Sequence, residues 1–69
     1  MAYAFRFHCF DEVDNPDLDK WDRRVKSIHV AVVADTEADA VTKVKALVTR
    51  KVCELDGVYE LSELHPIDN

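Results

Sequence analysis

The chain of 69 residues has little of what several functional classes require. Its single glycine rules out a glycine-rich phosphate loop, and no GxSxG or HExxH motif is present. Its two cysteines are too few for a disulfide-built scaffold and do not form a CxxC pair. No apolar run approaches the roughly 18 residues of a membrane span. We therefore expect a protein that is not an enzyme and has no cofactor.

Positive charge is also scarce, because nine Lys and Arg face fourteen Asp and Glu for a net charge of -5. This balance disfavours nucleic-acid binding, which relies on clustered basic side chains, and permits a basic partner. The N-terminus MAYAFRF lacks the basic start and apolar middle of a signal peptide. We expect a single domain over residues 1–69 in the cytoplasm, with both thiols reduced.

The stretch FRFHCF, residues 5–10, alternates aromatic residues with Arg, His and Cys. Such alternation is typical of a strand with one packed face and one polar face. We predict a strand over residues 2–10 with Tyr3, Phe5, Phe7 and Cys9 on the inner face and Ala4, Arg6 and His8 on the outer face. Phe10 breaks the pattern, so we expect it at the strand end or partly exposed.

Residues 11–25, DEVDNPDLDKWDRRV, hold six of the fourteen acids, which predicts an acidic loop. Asn15 is a favourable helix N-cap and Pro16 suits the first helical position, so the loop has room for a short helical turn. The alternative is a long hairpin that turns at residues 15–17 and starts its second strand near Trp21. We favour the loop, with KSIHVAVVA, residues 26–34, as the second strand.

A helix is predicted next, from residue 36 to about residue 55. Thr36 is a favourable N-cap, and Asp39 lies three residues later, as in a capping box. Apolar side chains recur at spacings of three and four at Val41, Val44, Val48, Val52 and Leu55. Cys53 falls on the solvent side of this helix, and Gly57 is expected to end it.

The sequence VYELSEL, residues 58–64, predicts a third strand with Tyr59 and Leu61 facing inward and Glu60 and Ser62 facing outward. The predicted class is α+β, in the order β-β-α-β, with strand order 2-1-3 and the helix on one face. The other face is left open and carries Arg6, His8, His29, Ala31, Val33, Glu60 and Ser62. Two open edges and this face predict a homodimer.

Two histidines form the first candidate site. If the hairpin pairs Phe7 with Val30, His8 lies opposite His29 on the outer face. Neighbouring neutral imidazoles are suited to bind a metal or a small ligand, with Glu60 as a third group. The simpler interpretation is two half-exposed polar side chains on a wet sheet face.

The acidic loop carries the second candidate site. Exposed carboxylates are expected there on Asp14, Asp17, Asp19 and Asp22, with Trp21 among them. Because Trp is enriched at interface hot spots, we predict that the loop binds a protein partner with a basic surface. Calcium is disfavoured, since the central Gly and final Glu of an EF-hand are missing. An acidic mimic of nucleic acid is a further alternative, and it requires acids spaced along one surface.

The two cysteines are predicted to lie apart. Cys9 falls on the inner face of the first strand, whereas Cys53 falls on the back of the helix. A disulfide would require their opposite-facing side chains to meet. We therefore expect both thiols to be structural.

The run VAVVADTEADAVTKVKALV, residues 30–48, resembles a segment of small β-β-α-β proteins of unknown function encoded by actinobacterial phages. Such proteins are often thought to bind host proteins. The resemblance covers about a third of the chain and includes no catalytic motif. It implies a phage-encoded modulator of a host protein that acts in the host cytoplasm.

Overall fold

A computed structural model describes residues 2–61. These residues form β1 (Tyr3–Glu12), β2 (Arg24–Ala34), α1 (Glu37–Leu47) and β3 (Val52–Glu60). The strands make one sheet in the order β2-β1-β3, and β2 and β3 are parallel to each other because each is antiparallel to β1. The helix packs on one face, chiefly against β2 and less against β1. The α+β class and the strand order are thus confirmed.

The core lies between the helix and the face that it covers, which we call the inner face. Its buried side chains are Phe5, Phe7 and Cys9 of β1, Val32 and Ala34 of β2, and Ala40 and Val44 of α1. The predicted burial of Phe5, Phe7 and Cys9 on β1 and of Val32 and Ala34 on β2 is confirmed, whereas Ala4, predicted to face water, is 7% exposed. The helix does not extend over β3. On that strand, Leu55 lies opposite Phe7 and Val58 lies opposite Phe5, but they remain 39% and 49% exposed.

The helix begins where predicted and ends earlier. Thr36 is the N-cap, and its Oγ1 accepts a hydrogen bond of 3.2 Å from the amide of Asp39. The prediction that the helix continues to about residue 55 is wrong, because it ends at Leu47 and Val48 is already extended. Valine and threonine are poor helix formers and good strand formers, so the β-branched residues after Leu47 join the sheet although their spacing suits a helix.

The third strand is correspondingly longer and lies in a different phase. It starts at Val52 and contains Gly57, which therefore does not end a helix. Asp56 is an extra residue between the pairs Arg6–Gly57 and Phe7–Leu55, so it forms a bulge. Past this bulge, Tyr59 shares the outer face with Arg6 rather than facing inward as predicted. The predicted end of the strand, residues 62–64, lies outside the described residues.

Gly57 leaves space for the ring of Tyr59. A Cβ atom built there would lie 2.8 Å from the hydroxyl oxygen of Tyr59 and 2.9 Å from Cε2 of its ring. The glycine thus lets the Tyr59 side chain lie along its own strand, two residues back toward Arg6.

The connection between β1 and β2 is a long hairpin whose strands extend into the predicted loop. Asp11 pairs with Val25 and Glu12 with Arg24, and the amide of Val13 donates to the carbonyl of Arg23. The true loop is residues 13–23, and none of it is helical. Paired backbone groups satisfy more hydrogen bonds than a free loop would, which explains why the strands continue.

The loop begins with a turn that residue 15 directs. The side-chain oxygen of Asn15 accepts a hydrogen bond of 3.0 Å from the amide of Asp17, and the carbonyl of Asn15 accepts one of 3.1 Å from Leu18. Asn15 therefore caps a turn instead of the predicted helical segment, as Asn commonly does.

Candidate functional site

The face of the sheet away from α1, here called the outer face, carries a line of planar side chains in contact with one another. We call this line the planar row, and its members in order are Trp21, Arg24, Phe10, His8 and His29. The guanidinium carbon of Arg24 lies 4.5 Å from the Trp21 ring centroid and 4.3 Å from that of Phe10. Cation–π contacts of this kind stabilise both partners when water is excluded.

Phe10 contradicts its prediction, since it is only 1% exposed. No helix covers it. Arg24 lies against its ring, and the His8 ring lies 5.1 Å away. The backbone contributes as well, because β2 has two residues, Lys26 and Ser27, opposite Phe10, and Lys26 takes a positive φ of 56°. This bulge tightens the local twist and brings β2 side chains over the ring.

Arg24 joins Trp21 to Phe10 in the planar row. Its side chain is 10% exposed and its NH2 group lies 3.5 Å from Oε1 of Glu54, across the sheet on β3. Its Nε is buried and has no hydrogen-bond partner within the part of the chain that the structure describes. The guanidinium of Arg24 is therefore positioned mainly by its contacts with the rings of Trp21 and Phe10.

The two histidines are adjacent, as the predicted register requires. His8 pairs with His29, and their rings stack with centroids 4.7 Å apart and planes inclined by 15°. The Nε2 atom of His8 is hydrogen-bonded to the hydroxyl of Ser27, and Nε2 of His29 lies 3.9 Å from Oδ2 of Asp56. Because the two rings are nearly parallel, their nitrogen lone pairs lie in parallel planes and do not point to one common position. The pair is therefore not arranged to bind a single metal ion.

Glu60 does not join the histidines. It pairs with Tyr3, five positions along β1 from His8, or about 17 Å at the usual rise of a strand. The acid opposite His8 is Glu54, which the sequence reasoning placed on a helix. Among residues 2–61, no group of three or more His, Cys, Asp and Glu side chains is arranged to hold a metal ion.

Arg23 organises the acidic loop. Its Nε donates to the carbonyl of Leu18 at 2.9 Å, its NH2 group donates to that of Pro16 at 3.2 Å, and its amide donates to that of Asp19. Sequence reasoning missed this role, since a dipeptide of two arginines gives no sign that one binds the loop backbone. The loop is thus folded around an internal cation.

Trp21 stands out from this loop. It is 70% exposed, although one contact of its ring is with Arg24. The four predicted acids, Asp14, Asp17, Asp19 and Asp22, are also exposed. Within the described residues none of their carboxylates accepts a hydrogen bond or forms an ion pair. The loop therefore presents an aromatic ring among unpaired negative charges, the arrangement that was predicted for partner binding.

The prediction that the two cysteines lie apart is wrong. Cys53 lies on β3 directly opposite Cys9, and both are free thiols. Cys9 is fully buried and Cys53 is half-buried. Burial raises the pKa of Cys9 to about 12, and the hydrogen bond with Cys53 acts in the same direction. The error follows from the helix prediction, which placed Cys53 on the wrong element.

Comparisons with known proteins find no relative from which a role could be transferred. No protein-family model matches the chain. The searches of curated proteins and of solved structures likewise give no match. In residues 2–61, no helix has the length and apolar character needed to cross a membrane.

Proposed function

We propose that this protein is a small, non-catalytic binding module that docks on a basic surface of another protein through the loop at residues 13–23. The observation that supports the proposal is the exposed ring of Trp21, which Arg24 holds in place from one side. An aromatic ring fixed before binding loses little conformational freedom on docking, which favours affinity. Trp is also the residue type most enriched at interface hot spots.

The charge around this ring specifies the partner. Arg23 and Arg24 make contacts inside the protein, with the loop carbonyls and with the planar row. Lys20 is then the remaining loop cation, against the four exposed aspartates. A surface of this sign attracts basic partners and speeds their association, more strongly at low salt.

The resemblance of residues 30–48 to phage accessory proteins extends the proposal to a phage-encoded modulator of a host protein.

We also propose self-association, because β2 and β3 are the two edge strands of the sheet. Size-exclusion chromatography with light scattering at several concentrations tests this second point, and a monomer throughout would contradict it.

Capture of partners from host lysate, followed by affinity measurement with the purified partner, tests the binding proposal. Trp21→Ala should weaken binding about 30-fold, the loss expected for a hot spot of about 2 kcal/mol. Asp17→Lys should weaken it as well, with an effect that shrinks as salt is added. Trp21 is the single tryptophan, so its fluorescence reports binding directly.

Asp35→Lys is the matched control. It makes the same charge change at an exposed residue between β2 and α1, outside the loop. A partner that is retained by this control and lost by the two loop variants supports the proposal. A partner bound equally by all four proteins, or the absence of any specific partner at low salt, contradicts it.

A further inference from the structure

The fold brings the chain's two cysteines together although they are far apart in sequence. Cys9 is on the central strand β1 and Cys53 is its direct partner on β3. Directly opposed residues of antiparallel strands have Cα atoms about 4.5 or 5.5 Å apart, depending on the type of pair. Both values lie inside the range of about 4.4–6.8 Å that a disulfide bond accepts.

Side-chain hydrogen bonds hold this register from both sides. The amide of Lys51 donates to Oδ1 of Asp11 on β1 at 2.8 Å. Nε of Arg50 donates to the carbonyl of Lys26 on β2 at 2.7 Å. The residues just before β3 are thus attached to both other strands, and Cys53 follows two residues later at a fixed position opposite Cys9.

The two thiols differ in access. Cys9 is fully buried within the core, whereas Cys53 lies at its margin and is half-buried. An external reagent therefore meets Cys53 first. Burial raises the pKa of Cys9 to about 12, and the Arg50 guanidinium offsets this increase only in part, so the attack by Cys9 is the slower step at neutral pH and speeds up as pH rises.

We propose that Cys9 and Cys53 form a reversible dithiol site that reacts with low-molecular-weight disulfides and closes into a disulfide between β1 and β3. The Cys53 thiolate attacks one sulfur of the reagent RSSR, the S–S bond of the reagent breaks, and one RSH leaves after taking up a proton. The Cys9 thiolate then attacks the sulfur of Cys53 and releases the second RSH. Two protein thiols are oxidised while one RSSR is reduced to two RSH.

The test treats the reduced, full-length protein with oxidised glutathione and measures intact mass, free thiols and non-reducing peptide maps. The parent should lose both free thiols, keep no glutathione and show a Cys9–Cys53 cross-link at every protein concentration. Dithiothreitol should restore both thiols. A stable glutathione adduct, a disulfide between two chains, or two unreacted thiols would each overturn the proposal.

Two variants separate the steps. Cys9→Ala removes the resolving thiol, so glutathione should remain attached to Cys53. Cys53→Ser removes the accessible thiol, so Cys9 should react at least tenfold more slowly than Cys53 does in the first variant. Equal rates in the two variants would contradict the assigned order. Should either variant fail to fold, the peptide map of the parent still decides whether the cross-link forms.

Discussion

The two faces of the sheet bury aromatic side chains in different ways. On the inner face, α1 covers Phe7, which is 1% exposed. On the outer face, Phe10 is equally buried although α1 does not cover it, because Arg24 and His8 lie against its ring. The comparison shows that side chains of neighbouring strands can replace a packing layer over one ring. Long side chains with apolar stems are suited to this role.

The first prediction compares the stability that each face loses when a phenylalanine is replaced by alanine and a cavity is left. Phe7→Ala should lower the free energy of unfolding by about 3–5 kcal/mol, a large part of the roughly 5–15 kcal/mol typical of a domain. Phe10→Ala should cost less, because the half-buried side chains of Arg24 and His8 that cover Phe10 can relax into the space. Urea unfolding followed by circular dichroism measures both. Equal losses would mean that the outer face is packed as rigidly as the core.

The second prediction concerns the pKa of Cys9, which is buried on the inner face. The folded state holds the pKa of Cys9 at about 12 instead of 9.0, so the unfolded chain loses this proton first as pH rises. The associated stability is complete below about pH 9 and declines toward pH 12, by up to about 1.4 kcal/mol per pH unit. Urea midpoints under reductant should therefore fall more steeply with pH in the parent than in Cys9→Ala. Parallel curves would contradict this explanation.

The third prediction removes the cover of the outer face. Arg24→Ala should lower the free energy of unfolding by about 1–2 kcal/mol, because Phe10 loses both its cation–π partner and its shield from water. Arg24→Lys is the control that keeps the charge and loses the planar group, and its loss should be intermediate. If alanine has no effect at this position, other side chains must keep water from Phe10.

The smallest effect is expected at Trp21. Its ring is mostly exposed, so Trp21→Ala should change the free energy of unfolding by less than about 1 kcal/mol. The same variant should show the large binding loss proposed above. A strongly destabilised variant would indicate that Trp21 is part of the structure of the outer face and not mainly a contact for a partner.

The sequence predicts the elements whose local signals agree with the tertiary structure. Alternation gives the faces of β1 and β2, and Thr36 with Asp39 gives the start of the helix. The helix end is not predictable in this way, because Val48 and Val52 continue a helical spacing while their β-branched side chains favour a strand. Pairing with β1, a long-range effect, decides between the two, and the errors in the start of β3 and in the position of Cys53 follow from that choice. The wrong phase of Tyr59 comes instead from the bulge at Asp56.

The candidate sites also divide into features with a local signal in the sequence and features without one. The contact of His8 with His29 follows from the hairpin register, which alternation fixes once one pair is guessed. The exposure of the acidic residues follows from the composition of the loop, whereas the sequence leaves open whether Trp21 is exposed or covers the core. The opposition of Cys9 and Cys53 and the contact of Arg24 with Phe10 have no local signature, because each joins residues that are distant in sequence. The loop contacts of Arg23 are short in sequence, but a pair of arginines does not indicate them.

The incomplete cover of the sheet has a consequence for how the molecule opens. The helix packs chiefly on β2, so β3 depends mainly on its ladder with β1, and Leu55 and Val58 remain partly in water. Strands held this way exchange their amide hydrogens through local opening. Deuterium should therefore enter β3 before the β1–β2 hairpin. The first segment to detach from the fold is then the one that carries Cys53, and a bond to Cys9 would keep it in place.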